Sequence, residues 1–159
     1  MAKIKTLVVF YSRTGTTKKL AEDMAAALGC DTEELLDTRD RKGVMGYLLA
    51  GRDATLKSLT TLQPLQKDPA AYDLVLIGTP VWSFNISVPV RAYIVENWEK
   101  FRRVAFFCTQ GSTGAENAFR EMEMLCGKKP IAKLAVSTRD VVNRKYEEKL
   151  TEFIQEVSR

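Results

Sequence analysis

A chain of 159 residues, 45% hydrophobic and 28% charged, holds enough apolar material for one globular domain with a sizeable core. Its formal charge of +4 is mild and no basic run is interleaved with aromatics, which argues against a nucleic-acid partner. The sequence contains no histidine, which excludes imidazole-dependent catalysis and the usual zinc and haem ligand sets, and Cys30, Cys108 and Cys126 are too scattered for a disulfide framework or a thiolate cluster.

The chain leads straight into an apolar run at residues 4–10, with no signal-peptide pattern and no stretch long enough to cross a bilayer. A cytoplasmic location is therefore expected. The run is rich in β-branched residues and predicts a strand buried on both faces. It stops at Tyr11, and Ser12-Arg13-Thr14-Gly15-Thr16-Thr17 follows. Leu20, Met24, Ala27 and Leu28 then recur at helical spacing, and Gly29 stands where a helix is commonly stopped. Strand, hydroxyl-rich turn and helix N-terminus together form an anion site, because the first helical N–H groups have no internal partner and carry partial positive charge. Capping of the helix by these hydroxyls is the rival reading.

Residues 31–36 predict a short, polar edge strand. The stretch 37–66 is an excursion between strands: a charged loop, then a glycine-weakened helix over 44–54. From Arg39 to Lys57 it holds five basic residues against two aspartates, a local charge of +3. It reads either as a solvated surface loop or as a cover beside a ligand site. Leu74-Val75-Leu76-Ile77-Gly78 predicts the clearest strand, with Thr79-Pro80-Val81-Trp82-Ser83-Phe84-Asn85 as its exit loop. A helix over 88–97 follows, with Ser87 as N-cap and Pro89 in its first turn. A strand over 104–108 opens into Thr109-Gln110-Gly111-Ser112-Thr113-Gly114. A helix over 115–126, a strand over 131–136 and an amphipathic helix over 143–157 complete the chain.

Strands alternating with helices from end to end predict a single α/β domain with a mainly parallel sheet and right-handed crossovers. Ligands in such sheets bind outside the carboxyl ends of the strands, where strand order reverses. Three strand exits carry ligand-type chemistry. The first suits a phosphate. The second offers Trp82 and Phe84 to a flat ring, unless one of them packs into the core. In the third, Gly111 and Gly114 allow main-chain N–H groups to approach a polar ring edge. A phosphorylated planar aromatic ligand satisfies all three.

On these residues the chain resembles the flavodoxin family over its whole length. Ser12-Arg13-Thr14-Gly15-Thr16-Thr17 is similar to the family's phosphate loop, Gly78-Thr79-Pro80-Val81-Trp82 to its second flavin loop, and residues 109–114 fall where the third belongs. The resemblance implies a three-layer α/β/α sandwich around a five-stranded parallel sheet of order 2-1-3-4-5, with FMN as cofactor. Carried over by position, Ser12, Thr14, Gly15, Thr16 and Thr17 hold the phosphate, and Arg13 either faces solvent or adds charge to it. Pro80, Val81, Trp82, Ser83 and Phe84 line the isoalloxazine, and Thr109, Gln110, Gly111, Ser112 and Gly114 meet its pyrimidine side. No residue is assigned a catalytic role.

The chain departs from the short electron carriers of that family in being basic rather than acidic, in lacking acidic residues and tyrosine in the third loop, and in carrying the segment 39–57. Other anion-binding readings fail on particular residues. Neither G-x-x-x-x-G-K-[ST] nor G-x-G-x-x-G occurs. Cys108 lacks the arginine six positions on that a phosphatase of this shape requires, Gly114 standing there instead. Tyr11-Ser12-Arg13 and Gly78-Thr79 lack the carboxylates of a receiver domain. Three functions stay open: electron transfer to a redox protein partner, which the basic segment suggests is acidic; an FMN oxidoreductase passing electrons from NAD(P)H to a quinone-like acceptor; and a flavin-free interaction scaffold.

Overall fold

Alternation along a single strand sets the layers. In β1, Thr6–Phe10, every residue is buried. Leu7 and Val9 enter one apolar cluster while Val8 and Phe10 enter another, because successive side chains of a strand point to opposite faces. A sheet with two apolar faces must be covered on both. The structure, a computed structural model, describes residues 4–37 and 61–159 and meets that requirement with helices on each side.

On one face lie α1, Thr16–Leu28, and α5, Glu147–Val157, which contribute Leu20, Ala21, Met24, Phe153 and Val157. On the other lie α2, Val88–Asn97, and α3, Ala115–Cys126, with Val90, Tyr93, Ile94, Phe119 and Met122. The remaining strands are β2 (Asp31–Glu34), β3 (Leu74–Trp82), β4 (Asn85–Ile86), β5 (Arg103–Gln110) and β6 (Lys133–Ser137). The parallel path runs β2-β1-β3-β5-β6. Counting only its five parallel members, this is the expected order 2-1-3-4-5. The addition is β4, which pairs antiparallel with β3.

Two expected elements differ. The helix expected over 143–157 begins only at Glu147, as α5, and a short helix that was not expected, α4, Thr138–Val142, precedes it, with Arg144 at φ 56° between them. A left-handed residue cannot continue a right-handed helix. The second strand ends at Glu34, two residues earlier than expected, and an isolated antiparallel bridge joins Asp37 to Leu62. The helix expected at 44–54, and most of the basic excursion, lie outside the described residues.

Gly78 has a packing reason that its place in a sequence motif conceals. It pairs with Phe10 and Phe107, and a Cβ there would lie 2.1 Å from ring atoms of the buried Phe107. Gly78→Ala should therefore cost about 1–3 kcal/mol through overpacking, read as a lower urea midpoint. Shrinking the ring in the double variant Gly78→Ala/Phe107→Leu should recover part of that loss relative to Phe107→Leu alone. An unchanged midpoint for the single variant would refute the packing account.

Candidate functional site

The first loop leaves β1 and enters α1 at Gly15, whose φ of +98° suits a residue without a side chain. The loop closes on itself: the Gly15 amide donates to Ser12 Oγ at 3.0 Å, and the Thr14 and Thr16 hydroxyls lie 3.4 Å apart. The N-cap residue, being glycine, supplies no side-chain cap to α1. Apart from the bond from the Gly15 amide to Ser12 Oγ, no hydrogen bond among the described residues joins a hydroxyl of this loop to the first amides of α1. This favours the anion reading over the capping one. Thr17 behaves differently. It is buried, and its hydroxyl shares a 2.7 Å hydrogen bond with the buried hydroxyl of Thr109, which fastens the first loop's helix to the end of β5.

The second wall is not the exit loop that the sequence predicts. β3 runs on to Trp82 and returns as β4, pairing Val81 with Ile86 and Trp82 with Asn85. The two residues at the tip, Ser83 and Phe84, have φ of 49° and 64°. Positive φ at both central positions defines a type I′ hairpin turn, normally made by Asn-Gly or a similar pair. Ser-Phe carries no such signature, so the hairpin was not legible. The base is held by Thr79, whose hydroxyl accepts from the Ser87 amide at 3.0 Å. Trp82 is only 7% exposed and stands edge-on to Tyr11, with ring centroids 5.5 Å apart. Phe84 is 59% exposed at the tip. Of the two aromatics read as stacking candidates, one is built into the wall and the other is exposed and does not line the cleft.

The third loop follows β5. Gln110 Oε1 accepts from the Ala115 amide at 3.0 Å and so caps α3 from outside the helix. Gly114 has φ +109°, and a Cβ there would come within 2.8 Å of Val81 Cγ1. Its glycine character serves contact with the hairpin, whereas a Cβ at Gly111 would meet open space. Cys108, one residue before Thr109, is fully buried, and burial pushes its thiol up to about 12. It is protonated at neutral pH and is no nucleophile.

These three segments enclose an open cleft of about 240 Å³ at the carboxyl end of the sheet. Ser12, Arg13, Thr14, Thr16 and Thr17 line one end. Pro80, Val81 and Trp82 form the apolar wall, and Thr109, Gln110 and Gly111 face it. Of the residues singled out in the sequence, Gly15, Ser83, Phe84, Ser112 and Gly114 do not line the cleft. Thr138 does, and the sequence reading passed over it. Its hydroxyl donates to the Gln110 carbonyl at 3.2 Å. The available signal was a hydroxyl pair, Ser137-Thr138, at the end of the last strand and the start of a helix, a small copy of the first loop. Arg13 alone is charged among the described lining residues, which makes the cleft complementary to an anion. Among the described residues no group of His, Cys, Asp and Glu could hold a metal ion, and no helix is long and apolar enough to cross a membrane.

A family model described as flavodoxin matches residues 5–157. Comparison with curated proteins finds no match. Solved structures with the same fold include a flavoprotein from Lactobacillus acidophilus NCFM in complex with FMN. It is 24% identical, with a TM-score of 0.72, covering 88% of this chain and 97% of that one. The apo-form of the flavoprotein from Lactobacillus acidophilus NCFM is 25% identical with a TM-score of 0.66, covering 94% and 98%. A flavodoxin, WrbA-like protein from Agrobacterium tumefaciens is 15% identical with a TM-score of 0.55, covering 97% and 99%.

The Thr17–Thr109 bond gives this site a stability test. Thr17→Val leaves the buried Thr109 hydroxyl without its partner and should cost about 1–3 kcal/mol, whereas Thr17→Val/Thr109→Val should cost less than the two single changes together. Denaturant unfolding of all four proteins checks this, and strictly additive losses would mean that the two hydroxyls are not coupled.

Proposed function

Because the chain belongs to the flavodoxin family, we propose that it binds FMN in this cleft and serves as a redox protein that passes electrons to a protein partner. The observation that carries the reading is the α1 N-terminus, ringed by hydroxyls that do not cap it and set against an apolar wall. Bound FMN supplies the electron-accepting chemistry. The chain supplies the rest. Ser12, Thr14 and Thr16 and the first amides of α1 hold the phosphate, with Arg13 adding positive charge. Pro80, Val81 and the edge-fixed Trp82 line the ring and exclude water from one side of it. Thr109, Gln110 and Gly111 offer polar groups and an open backbone to its polar edge. A low-dielectric wall disfavours the gain of negative charge beside it, so Val81 and Trp82 tune the potential at which electrons enter. The net positive charge of the chain favours an acidic partner.

Titration of the purified protein with FMN, followed by the visible spectrum and quenching of flavin fluorescence, tests the cofactor assignment. Absence of binding at micromolar concentrations would sink it. An anaerobic NAD(P)H titration, with and without a quinone, then tests the role: slow or no direct reduction supports the carrier, and rapid turnover replaces it with an NAD(P)H oxidoreductase.

Thr14→Glu places a carboxylate against the phosphate and should weaken FMN binding roughly tenfold or more, with little effect on folding because Thr14 is exposed. Arg13→Gln should weaken it less and reduce its dependence on ionic strength. Wild-type affinity in both variants would displace the phosphate from this loop. Partner association should weaken as salt rises; insensitivity to salt would argue against electrostatic docking.

A further inference from the structure

The hairpin 81–86 is an expensive element, and the polar groups that hold it converge from one helix. Ser83 and Phe84 occupy a left-handed turn with side chains that disfavour it. Such a conformation persists only where its surroundings over-determine it. Here they do so at three points on one stripe of α3. Gly114 at the helix start admits Val81 and Phe84 to closer contact than any other residue would allow. One turn on, Asn117 Nδ2 donates to the Phe84 carbonyl at 2.7 Å. One further turn on, Glu121 Oε1 accepts from the Ile86 amide at 3.3 Å.

Glu121 is itself fixed from below. Arg91 Nη1, on α2, donates to Glu121 Oε2 at 2.6 Å, with side-chain exposures of 7% for the arginine and 11% for the glutamate. The Arg91 Nε and Nη2 atoms are buried without a hydrogen-bond partner among the described residues. A buried ion pair with two unsatisfied donors is a poor source of stability compared with apolar packing in the same volume. Its distinguishing property is directional: it holds one carboxylate oxygen under one strand amide. The same helix is tied to the third loop by the bond from the Ala115 amide to Gln110. Through α3 the apolar wall and the facing polar loop share one set of hydrogen-bonded anchors.

We propose that Glu121, oriented by Arg91, and Asn117 are positioning residues that fix the hairpin as a wall of the cleft and thereby set its affinity for FMN. The inference rests on the FMN reading for its second half only. The clamp on the hairpin stands by itself.

The test uses two double variants of the full chain. Arg91→Met/Glu121→Gln removes both charges but keeps an oxygen for the Ile86 amide, whereas Arg91→Met/Glu121→Leu removes that oxygen too. Amide exchange at Ile86 is measured in the apo-protein, and FMN affinity by fluorescence titration. The Leu variant should show exchange at Ile86 and an FMN Kd each raised about tenfold, and the Gln variant should restore both toward wild type. Unchanged exchange and affinity in the folded Leu variant would overturn the proposal, as would a Gln variant no better than the Leu one. Asn117→Ala, at an exposed position, repeats the test without disturbing the buried pair and should weaken FMN binding in the same direction; unchanged affinity would remove Asn117 from the clamp. Faster exchange in the Leu variant, with no FMN bound by any variant or by wild type, would establish the clamp and overturn the FMN reading instead.

Discussion

The direction in which the chain leaves β1 and β3 governs the site. These two strands are neighbours at the centre of the sheet, yet the path from β1 goes outward to β2 and the path from β3 goes outward the other way to β5 and β6. Their exit segments therefore diverge and cannot fill the space between them. A crevice at this position follows from strand order, whatever the loops contain. What the residues decide is its chemistry: hydroxyls and a helix N-terminus on the β1 side, an apolar hairpin on the β3 side, and a polar edge from β5.

A crevice left by diverging chains would be loose without cross-ties. The Thr17–Thr109 bond joins α1 to the end of β5 across the position where β3 leaves the sheet, and Gln110 joins that strand to both α3 and Thr138. Buried hydroxyl pairs suit this role. Each partner is costly to leave alone, so both walls are held at a fixed separation rather than drawn together non-specifically. The apolar wall needs similar support, because its turn carries Ser83 and Phe84 at positive φ. Local preference and tertiary contact disagree there, and tertiary contact wins.

That disagreement explains which parts of the structure could be read from the sequence. Four of the five parallel strands announced themselves as apolar runs, the polar β2 was expected as an edge strand, and strand order followed once the family resemblance was seen. The first loop was legible because Ser12, Thr14, Thr16 and Thr17 are anomalous in number for a simple helix start, and every one of them lines the cleft. The hairpin was not legible, because Ser83-Phe84 lacks the turn chemistry that makes a type I′ turn visible. The break at Arg144 hid for the same reason: neither glycine nor proline marks it. Gly114 was seen as a glycine that admits a ligand, and it is one that admits Val81. Spacing shows that a position needs to be small; only the packed neighbour shows why.

The chemistry left to the side chains is sparse, and this is informative. Histidine is absent from the chain, Cys108 lies close to the cleft but is held protonated by burial, and Arg13 is the charged residue among the described residues of the lining. None of these can act as a general base poised near neutral pH. The described lining offers several oriented donors, an apolar wall and cross-ties between its walls. On the proposed reading the bound cofactor supplies the reactivity, and the chain acts on it through distance and dielectric. Both depend on the position of the Val81–Trp82 wall, so the residues that fix this wall without entering the cleft bear on function as directly as those that line it.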